Sequence, residues 1–250
     1  MATIDKARFT ARVAVSEKDI RGSQVLRHLT FVEETGAPVR EGGLEQDKFD
    51  EQCQHVLIEE NATGKLVGCF RMHPLKDGND IDQSYSAQFY ELSALRKFKG
   101  PMIELGRFCI HPDINDPDVL RVAWGALTRF VDDNGVEMLF GCSSFKGTAA
   151  GAYYDAFALL RERHLAPKRW LPKIKAPTVF RFAEKLRLKP DARRALLGMP
   201  PLLRSYLAMG GWVSDHAVVD RDMNTLHVFT GLEIQAIPPA RKRLLRAVAG

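Results

Sequence analysis

The sequence lacks the apolar runs that membrane-spanning helices need, because no stretch of its 250 residues approaches the about 20 apolar residues required. The N-terminus has no apolar stretch flanked like a signal peptide. Its four cysteines, Cys53, Cys69, Cys109 and Cys142, form no C-x-x-C pair. That spacing argues against a zinc ribbon or a disulfide framework and fits a reducing compartment. We therefore expect a cytoplasmic protein that spans no membrane.

Recognisable metal and nucleophile patterns are also lacking. His55, His73 and His111 are spaced too widely to suggest a shared metal ion, so we predict no metal site. Cys142 stands beside two serines in MLFGCSSF, but no histidine-based arrangement accompanies them to activate a nucleophile. We therefore do not expect a covalent mechanism.

Basic residues are abundant and concentrated in the last part of the chain. Residues 161–250 contain 18 lysines and arginines against 7 acidic residues, whereas residues 1–160 contain 18 against 24. The excess is largest in residues 163–204, here called the basic block, with 12 basic and 2 acidic residues. Such a surface favours an anionic partner, which could be nucleic acid, lipid headgroups or an acidic protein. A solvated helical face is the alternative explanation.

Strand and helix patterns follow each other along the chain. ARFTARVAVS predicts a strand, and residues 16–36 predict a helix that begins after Ser16 and ends at Gly36. QHVLIEE and KLVGCFRMHP predict a hairpin, residues 77–100 a polar excursion, and DPDVLRVAWGALTRFVDDNG a further helix. The strand MLFGCSSF, another helix and late strands follow. This order predicts one α+β or α/β domain over residues 1–250, on a mixed sheet, with the basic block as a helical insertion.

Six charged residues lie within or beside the apolar strand and helix patterns in the first half of the chain. Three acids and three arginines are costly to bury singly but tolerable as a mutually paired network. Ordinary ion pairs at strand ends are the alternative that spacing allows. The six are Arg27, Asp47, Asp50, Arg71, Glu104 and Arg107.

Glu104 and Arg107 stand in one apolar strand pattern, MIELGRFCIHPD. Strict alternation would place residues three apart on opposite faces of the sheet. A β-bulge at Leu105 and Gly106 would insert one residue and let both charges project to the same side. It would also free a backbone N–H for a reacting carbonyl.

The order and spacing of these charges resemble the signature of the acyl-homoserine-lactone synthases, a branch of the GNAT acyltransferases. More of the chain resembles a neighbouring branch, the ornithine lipid synthases, or L-ornithine N-alpha-acyltransferases. The resemblance covers most of residues 24–230 and implies a GNAT-like fold with a mixed central sheet flanked by helices. The shared segments are FVEETGA, DKFDEQCQHVLI, ELGRFCIHPD, the helix containing LTRF, LFGCSSFKGT, MPPLLRSYLAMGGWV and DMNTLHVF.

The resemblance implies transfer of a fatty acyl group, typically 3-hydroxyacyl, from acyl carrier protein to the α-amine of L-ornithine, which gives lyso-ornithine lipid. The donor would be the phosphopantetheine thioester of the carrier protein, with no permanently bound cofactor. Another acceptor such as glutamine, or acyl-homoserine-lactone synthesis, is the enzymatic alternative. A non-catalytic binder of lipid or nucleic acid is a further alternative. The acids argue against it, because binding alone would not need them, and we predict no nucleic-acid partner.

The chemistry assigns roles to the charged strand and its neighbours. Acylation needs a base for the amine, and Glu104 is the candidate general base. The amides of Leu105 and Gly106 are candidates for stabilising the oxyanion. The acyl chain would contact residues of two strands, namely Phe108, Phe140, Cys142 and Ser144.

The remaining charges would bind the amino acid. Asp47 and Asp50 could hold the cationic amine and side chain of ornithine. Arg27, Arg71 or Arg107 could pair with its α-carboxylate or order the acids.

The donor can be argued from the segment after the charged strand. GNAT enzymes that use coenzyme A usually carry a glycine-rich loop there, whose amides bind pyrophosphate. Here HPDINDPDV has no glycine and three aspartates, which would repel a diphosphate. We therefore expect acyl carrier protein, whose acidic surface would meet the basic block. The predicted contacts are Lys168, Arg169, Lys173 and Lys175.

Peripheral contact with the inner face of an anionic membrane is a further expectation. The basic block or the segment RKRLLRAV could provide it. The segment is too short to anchor the protein alone.

Overall fold

The computed structural model describes residues 4–6, 8–38 and 41–249. The chain groups into two compact units. Unit 1 comprises Met1–Pro74, Leu105–Val136 and Pro238–Gly250, and unit 2 comprises Leu75–Glu104 and Glu137–Ile237. A single domain over residues 1–250 stays a prediction.

Twelve strands and seven α-helices are interspersed along the described residues. The strands are β1 Ile4–Lys6, β2 Phe9–Val13, β3 Gln54–Glu60, β4 Leu66–Leu75, β5 Tyr90–Glu91, β6 Met102–Ile110, β7 Met138–Lys146, β8 Lys173–Ile174, β9 Val179–Phe180, β10 Trp212–Val213, β11 Ala217–Asp220 and β12 Thr225–Glu233. The α-helices are α1 Glu17–His28, α2 Pro117–Asp133, α3 Tyr154–Arg163, α4 Phe182–Lys185, α5 Ala192–Gly198, α6 Pro201–Ala208 and α7 Pro239–Ala249. Short 3-10 turns occupy much of residues 78–97.

Unit 1 is built on strands in the order β1, β2, β3, β4 and the second part of β6. The first four strands pair antiparallel, and α1, α2 and α7 complete the unit. The β3–β4 hairpin matches the predicted strands closely. The predicted first strand corresponds to β2, while β1 before it was not predicted.

The first predicted helix is interrupted by a change of helical type. Ser16 caps α1, because its side chain accepts a hydrogen bond from the amide of Asp19, which confirms the predicted start. After His28 the chain continues as a π-helical turn over Leu29–Glu33, and Gly36 follows with a φ of 68°. The predicted end at Gly36 is therefore confirmed.

Unit 2 is built on the first part of β6 followed by β7, β12, β11 and β9. Strand β6 runs parallel to β7 from Met102 to Glu104, and β7 pairs antiparallel with β12 over nine residues. The mixture of parallel and antiparallel pairing in this sheet, with helices in the same unit, agrees with the predicted α+β class.

The basic block is of mixed structure rather than purely helical. It contains β8 and β9 as well as α4, α5 and α6. Strand β9 pairs with β11, so the block contributes to the sheet of unit 2. Phe182, Ala195 and Leu203 anchor it in the core of that unit, each fully buried. No helix among the described residues is long and apolar enough to cross a bilayer.

The predicted polar excursion, residues 77–100, is a packed part of unit 2. Ile81, Tyr90 and Leu95 are at most 1% exposed and belong to its hydrophobic core. Gly78 allows this packing, because a Cβ atom there would lie 2.0 Å from the carbonyl oxygen of Leu95. The excursion is thus fixed by a backbone contact that only glycine tolerates.

We expect Gly78→Ala to destabilise the protein by at least about 2 kcal/mol, because the added methyl group meets backbone atoms that must shift. Denaturant unfolding measures the change. Gly151→Ala is the matched control, since a Cβ there meets no atom within 4 Å. Equal stability of the two variants would contradict the proposed close packing.

Candidate active site

Unit 1 contains a closed ring of six charged side chains in which arginines and acids alternate. Each arginine contacts two carboxylates, and each carboxylate contacts two arginines. Five of the six were predicted from the sequence. In order around the ring they are Arg27, Glu45, Arg107, Asp47, Arg71 and Asp50.

Arg27 holds one side of the ring from helix α1. Its Nε donates to Oε2 of Glu45 at 2.5 Å, and its Nη1 donates to Oδ1 of Asp50 at 2.7 Å. The side-chain amide of Gln24, one turn earlier on α1, donates to the other carboxylate oxygen of Asp50, Oδ2, at 3.0 Å. Helix α1 therefore orients both acids.

Two arginines on strands complete the ring. Arg107 of β6 donates through Nε to Glu45 at 3.0 Å and through Nη2 to Asp47 at 2.9 Å. Arg71 of β4 donates from one nitrogen, Nη1, to Asp47 and to Asp50, both at 2.6 Å. The ring thus joins one helix, two strands and the segment that supplies the acids.

Burial makes the pairing in the ring obligatory. Arg27 and Glu45 are 0% exposed, and Arg71 is 3% exposed. A lone buried charge costs several kcal/mol, while three positive and three negative charges neutralise each other. Asp47 is the most exposed acid of the ring, at 18% of its side chain.

The pKa values of the three acids depend on two opposing effects, which are burial and the charges of the arginines. Burial alone would raise the pKa of Glu45, but the charges of Arg107 and Arg27 outweigh it and hold the pKa below its usual value. Burial likewise opposes ionisation of Asp47 and Asp50, whose pKa values are lowered by hydrogen bonds and charges from the arginines. All three acids are therefore ionised at neutral pH.

Glu45 was missed in the sequence, and Glu104 was grouped with the ring in its place. Glu45 lies in the same GGLEQDKFD segment as Asp47 and Asp50. That cluster of acids was the available signal. Glu104 belongs to unit 2, whereas all six ring members belong to unit 1.

The backbone of β6 is irregular beside the ring. Arg107 has a φ of 51°, in the left-handed region that non-glycine residues enter at a cost of about 1–2 kcal/mol. Its two contacts with Glu45 and Asp47 help to hold this conformation. The bulge at Leu105 and Gly106 stays a prediction, and the positive φ falls one residue later.

The Glu104 carboxylate is held by a turn within unit 2. Its Oε2 accepts the backbone N–H of Tyr85 at 2.7 Å. Its Oε1 accepts the N–H of Ser86 at 2.7 Å and the Ser86 hydroxyl at 2.5 Å. Glu104 is 4% exposed. These donors fix the orientation of the carboxylate, and Ser86 is a neighbour that the sequence did not predict.

The predicted acyl-contact residues have different surroundings. In unit 1, half-buried Phe108 stacks on Phe70 with ring centroids 5.6 Å apart. In unit 2, Phe140 is fully buried, and the half-buried Cys142 packs against the same core, with its sulfur 3.4 Å from the Ser86 hydroxyl. Ser144 is exposed.

The four predicted carrier-protein contacts are all exposed residues of unit 2. Arg169 pairs with Glu233 at 3.2 Å, and Lys173 lies 3.6 Å from Glu91. Lys175 donates to the carbonyl of Ala87 at 2.6 Å, and Lys168 is the fourth residue of the set. Among the described residues, no group of three or more His, Cys, Asp or Glu side chains is arranged to hold a metal ion.

Comparisons with known proteins place the chain in a family. A model described as an acetyltransferase (GNAT) domain matches residues 26–125. An L-ornithine N(alpha)-acyltransferase of Rhodobacter capsulatus is 35% identical over 238 residues, covering 92% of this chain and 91% of that protein. The chain belongs to the L-ornithine N(alpha)-acyltransferase family. A protein of the same name from Brucella abortus is 29% identical over 240 residues, covering 90% of this chain and 84% of that protein.

A solved structure of similar fold supports the architecture. It is BjaI, a CoA-dependent acyl-homoserine lactone synthase with SAM and isopentyl-CoA, at a TM-score of 0.51 and 16% identity. The match covers 96% of this chain and 88% of that chain. The predicted GNAT-like fold is confirmed, and membership of the family makes the chain an N-acyltransferase.

We expect Glu45→Gln to lower the free energy of unfolding by about 3 kcal/mol or more, because the three arginines of the ring would be left with two carboxylates, and Arg27 and Arg107 would each lose one of their two acidic partners. Asp132→Asn is the control with the same change of charge in unit 1. It breaks an exposed pair with Arg246 and should cost less than about 1 kcal/mol. Denaturant unfolding at pH 7 compares them.

The stability should also depend on pH through the ring. Acids with a lowered folded pKa contribute stability that is fully present above the ordinary carboxyl pKa of about 4 and is lost as the pH falls below it. Glu45→Gln should lose less stability over this range than the unaltered protein, because one fewer acid titrates. Parallel curves of unfolding free energy against pH would contradict the coupling.

Proposed function

We propose that the protein transfers a 3-hydroxy fatty acyl group from acyl carrier protein to the α-amine of L-ornithine, giving lyso-ornithine lipid. The observation that carries the proposal is the 35% identity, over 92% of this chain, to a protein named L-ornithine N(alpha)-acyltransferase. A cationic amino acid requires acids to bind it, and its amine requires a base.

In this proposal Glu104 accepts the proton of the attacking α-amine, directly or through a water molecule. The amides of Leu105 and Gly106 stabilise the oxyanion of the tetrahedral intermediate. The three hydrogen bonds from Tyr85 and Ser86 support the assignment, because they hold the carboxylate in one orientation.

The ring would bind the amino acid through its more exposed acid. Asp47 is the best placed to meet the ammonium groups of ornithine, because Asp50 is 8% exposed and Glu45 is 0% exposed. Arg71 and Arg107 would order Asp47 or contact the α-carboxylate. The acyl chain would contact Phe108, Phe140, Cys142 and Ser144.

The choice of donor rests on the start of helix α2. Asp116 caps that helix, and its carboxylate accepts the N–H of Asp118 at 2.9 Å. Its other oxygen pairs with Arg8 at 2.7 Å. A pyrophosphate at this helix end would meet a carboxylate where coenzyme A enzymes offer free amides, which supports acyl carrier protein as donor.

The direct test incubates the purified protein with 3-hydroxyacyl carrier protein and single amino acids, with the products identified by mass spectrometry. We expect acylated ornithine, and no product from ornithine whose α-amine is blocked by acetylation. The same acyl group on coenzyme A should react with a lower kcat/KM. Acylation of glutamine but not ornithine would favour the alternative acceptor. No transfer to any acceptor would refute the enzymatic function.

We expect Glu104→Gln to lower kcat by about 100-fold or more, because general-base catalysis contributes roughly 10²–10⁴-fold. Glu162→Gln changes an exposed carboxylate of the same unit and should leave kcat unaltered. Steady-state kinetics measures both, and thermal unfolding checks that both variants are folded. Unchanged turnover of a folded Glu104→Gln variant would exclude Glu104 as the base.

We expect Lys168→Glu combined with Lys173→Glu to raise the KM for acyl carrier protein by about ten-fold at low salt and to weaken its salt dependence. The KM for ornithine should not change. The control reverses Arg193 and Arg194, two other exposed residues of the basic block, with the same change of net charge. An unchanged salt dependence in the lysine variant would argue against docking at this surface.

A further inference from the structure

Helix α5 of unit 2 presents apolar and basic side chains together to solvent. Leu197 is 76% exposed and Leu196 is 49% exposed, the former among the most exposed large apolar residues described. Ala195, which stands between Arg194 and Leu196 in the sequence, is fully buried, so its side of α5 faces the protein core. Arg193 lies one turn before Leu197, so the two share the face opposite Ala195.

The segment before the helix extends the same composition. Leu188 is 36% exposed, and Arg187 and Lys189 beside it are exposed. From helix α6, Nη1 of Arg204 approaches the carbonyl of Leu196 at 3.4 Å, which brings a further positive charge to α5. We call the following residues the leucine–arginine patch: Leu188, Lys189, Arg193, Arg194, Leu196 and Leu197.

The charge around the patch is strongly one-sided. Two acids adjoin it, and both accept backbone hydrogen bonds: Asp191 caps α5 by accepting the N–H of Arg194 at 2.9 Å, and Asp155 accepts the N–H of Asp191 at 2.8 Å. Five basic residues from Arg187 to Arg204 surround the three leucines. The patch therefore offers positive charge and exposed apolar surface at the same place.

A lipid surface fits this combination better than an acidic protein does. Basic side chains gain from anionic headgroups, and the leucines beside them gain from the acyl-chain region that lies directly below the headgroups. We propose that the leucine–arginine patch rests on an anionic membrane, with Leu196 and Leu197 entering the boundary between headgroups and acyl chains. This deepens the proposed function, because the proposed product is itself an amphiphile that must reach a lipid phase.

The experiment measures co-sedimentation of the full chain with vesicles of phosphatidylcholine alone or with 30% phosphatidylglycerol, without substrates. We expect binding to the anionic vesicles that weakens with salt, and little binding to the neutral ones. Leu196→Ser with Leu197→Ser should reduce the partition coefficient by more than about ten-fold. Arg193→Glu with Arg194→Glu should reduce it by a similar factor.

Two controls separate the patch from other exposed residues. Leu244→Ser removes a leucine of α7 that is 60% exposed, and Lys168→Glu with Lys173→Glu matches the charge change. Each should alter vesicle binding by less than about three-fold. Binding by the patch variants equal to that of the unaltered protein, or loss of binding in the Leu244 variant instead, would overturn the proposal.

Carrier-protein kinetics distinguishes the two partners. Patch variants that keep vesicle binding but lose affinity for acyl carrier protein would assign the patch to the carrier and overturn the lipid assignment. Because vesicle binding needs no substrate, its failure leaves the proposed acyl transfer untouched. Failure of acyl transfer likewise leaves the vesicle measurement valid.

Discussion

The mutual compensation of six buried charges is the constraint on which unit 1 depends. Three arginines come from α1, β4 and β6, and the three acids come from one short segment before β3. None of the elements can shift without separating a buried charge from its partner. The ring therefore acts as a rigid frame for Asp47, the acid that retains the most contact with solvent.

Unit 2 also contains a buried carboxylate that neighbouring groups hold in place, namely that of Glu104. Glu104 is almost completely buried, and two backbone amides and one hydroxyl of a turn donate hydrogen bonds to its carboxylate. The carboxylates of the ring accept hydrogen bonds from three guanidinium groups. We propose different tasks for them, binding of the amino acid for the ring and proton transfer for Glu104.

The sequence was sufficient to predict most elements and much of the ring. Short apolar runs indicated β3 and β4, and helical periodicity indicated α2, while the charges of Arg27, Asp50 and Arg71 stood out against apolar neighbours. Asp47 and Asp50 of the same segment were predicted, but no local periodicity marks Glu45 as buried, and it was missed. Its burial is decided by arginines that are distant in sequence.

The other differences between the predictions and the structure also arise from tertiary contacts. The packing of residues 77–100 depends on the approach of Gly78 to Leu95, which leaves no local pattern. The pairing of β9 with β11 draws the basic block into the sheet, although its composition indicated helices. The strand β6 was expected to direct Glu104 and Arg107 to one site. Their known partners are a turn of unit 2 for the first and the ring of unit 1 for the second.

A closed ring of alternating charges also restricts how the sequence can vary over time. In an open chain of ion pairs a terminal member can be lost with one partner affected, but every member of a ring has two partners. Replacement of one residue leaves both of its partners, which carry the opposite charge, short of a counter-charge. A tolerated substitution must therefore be accompanied by compensating substitutions. We expect the residues at these six positions to change together among related sequences, and far more slowly than the surface residues around them.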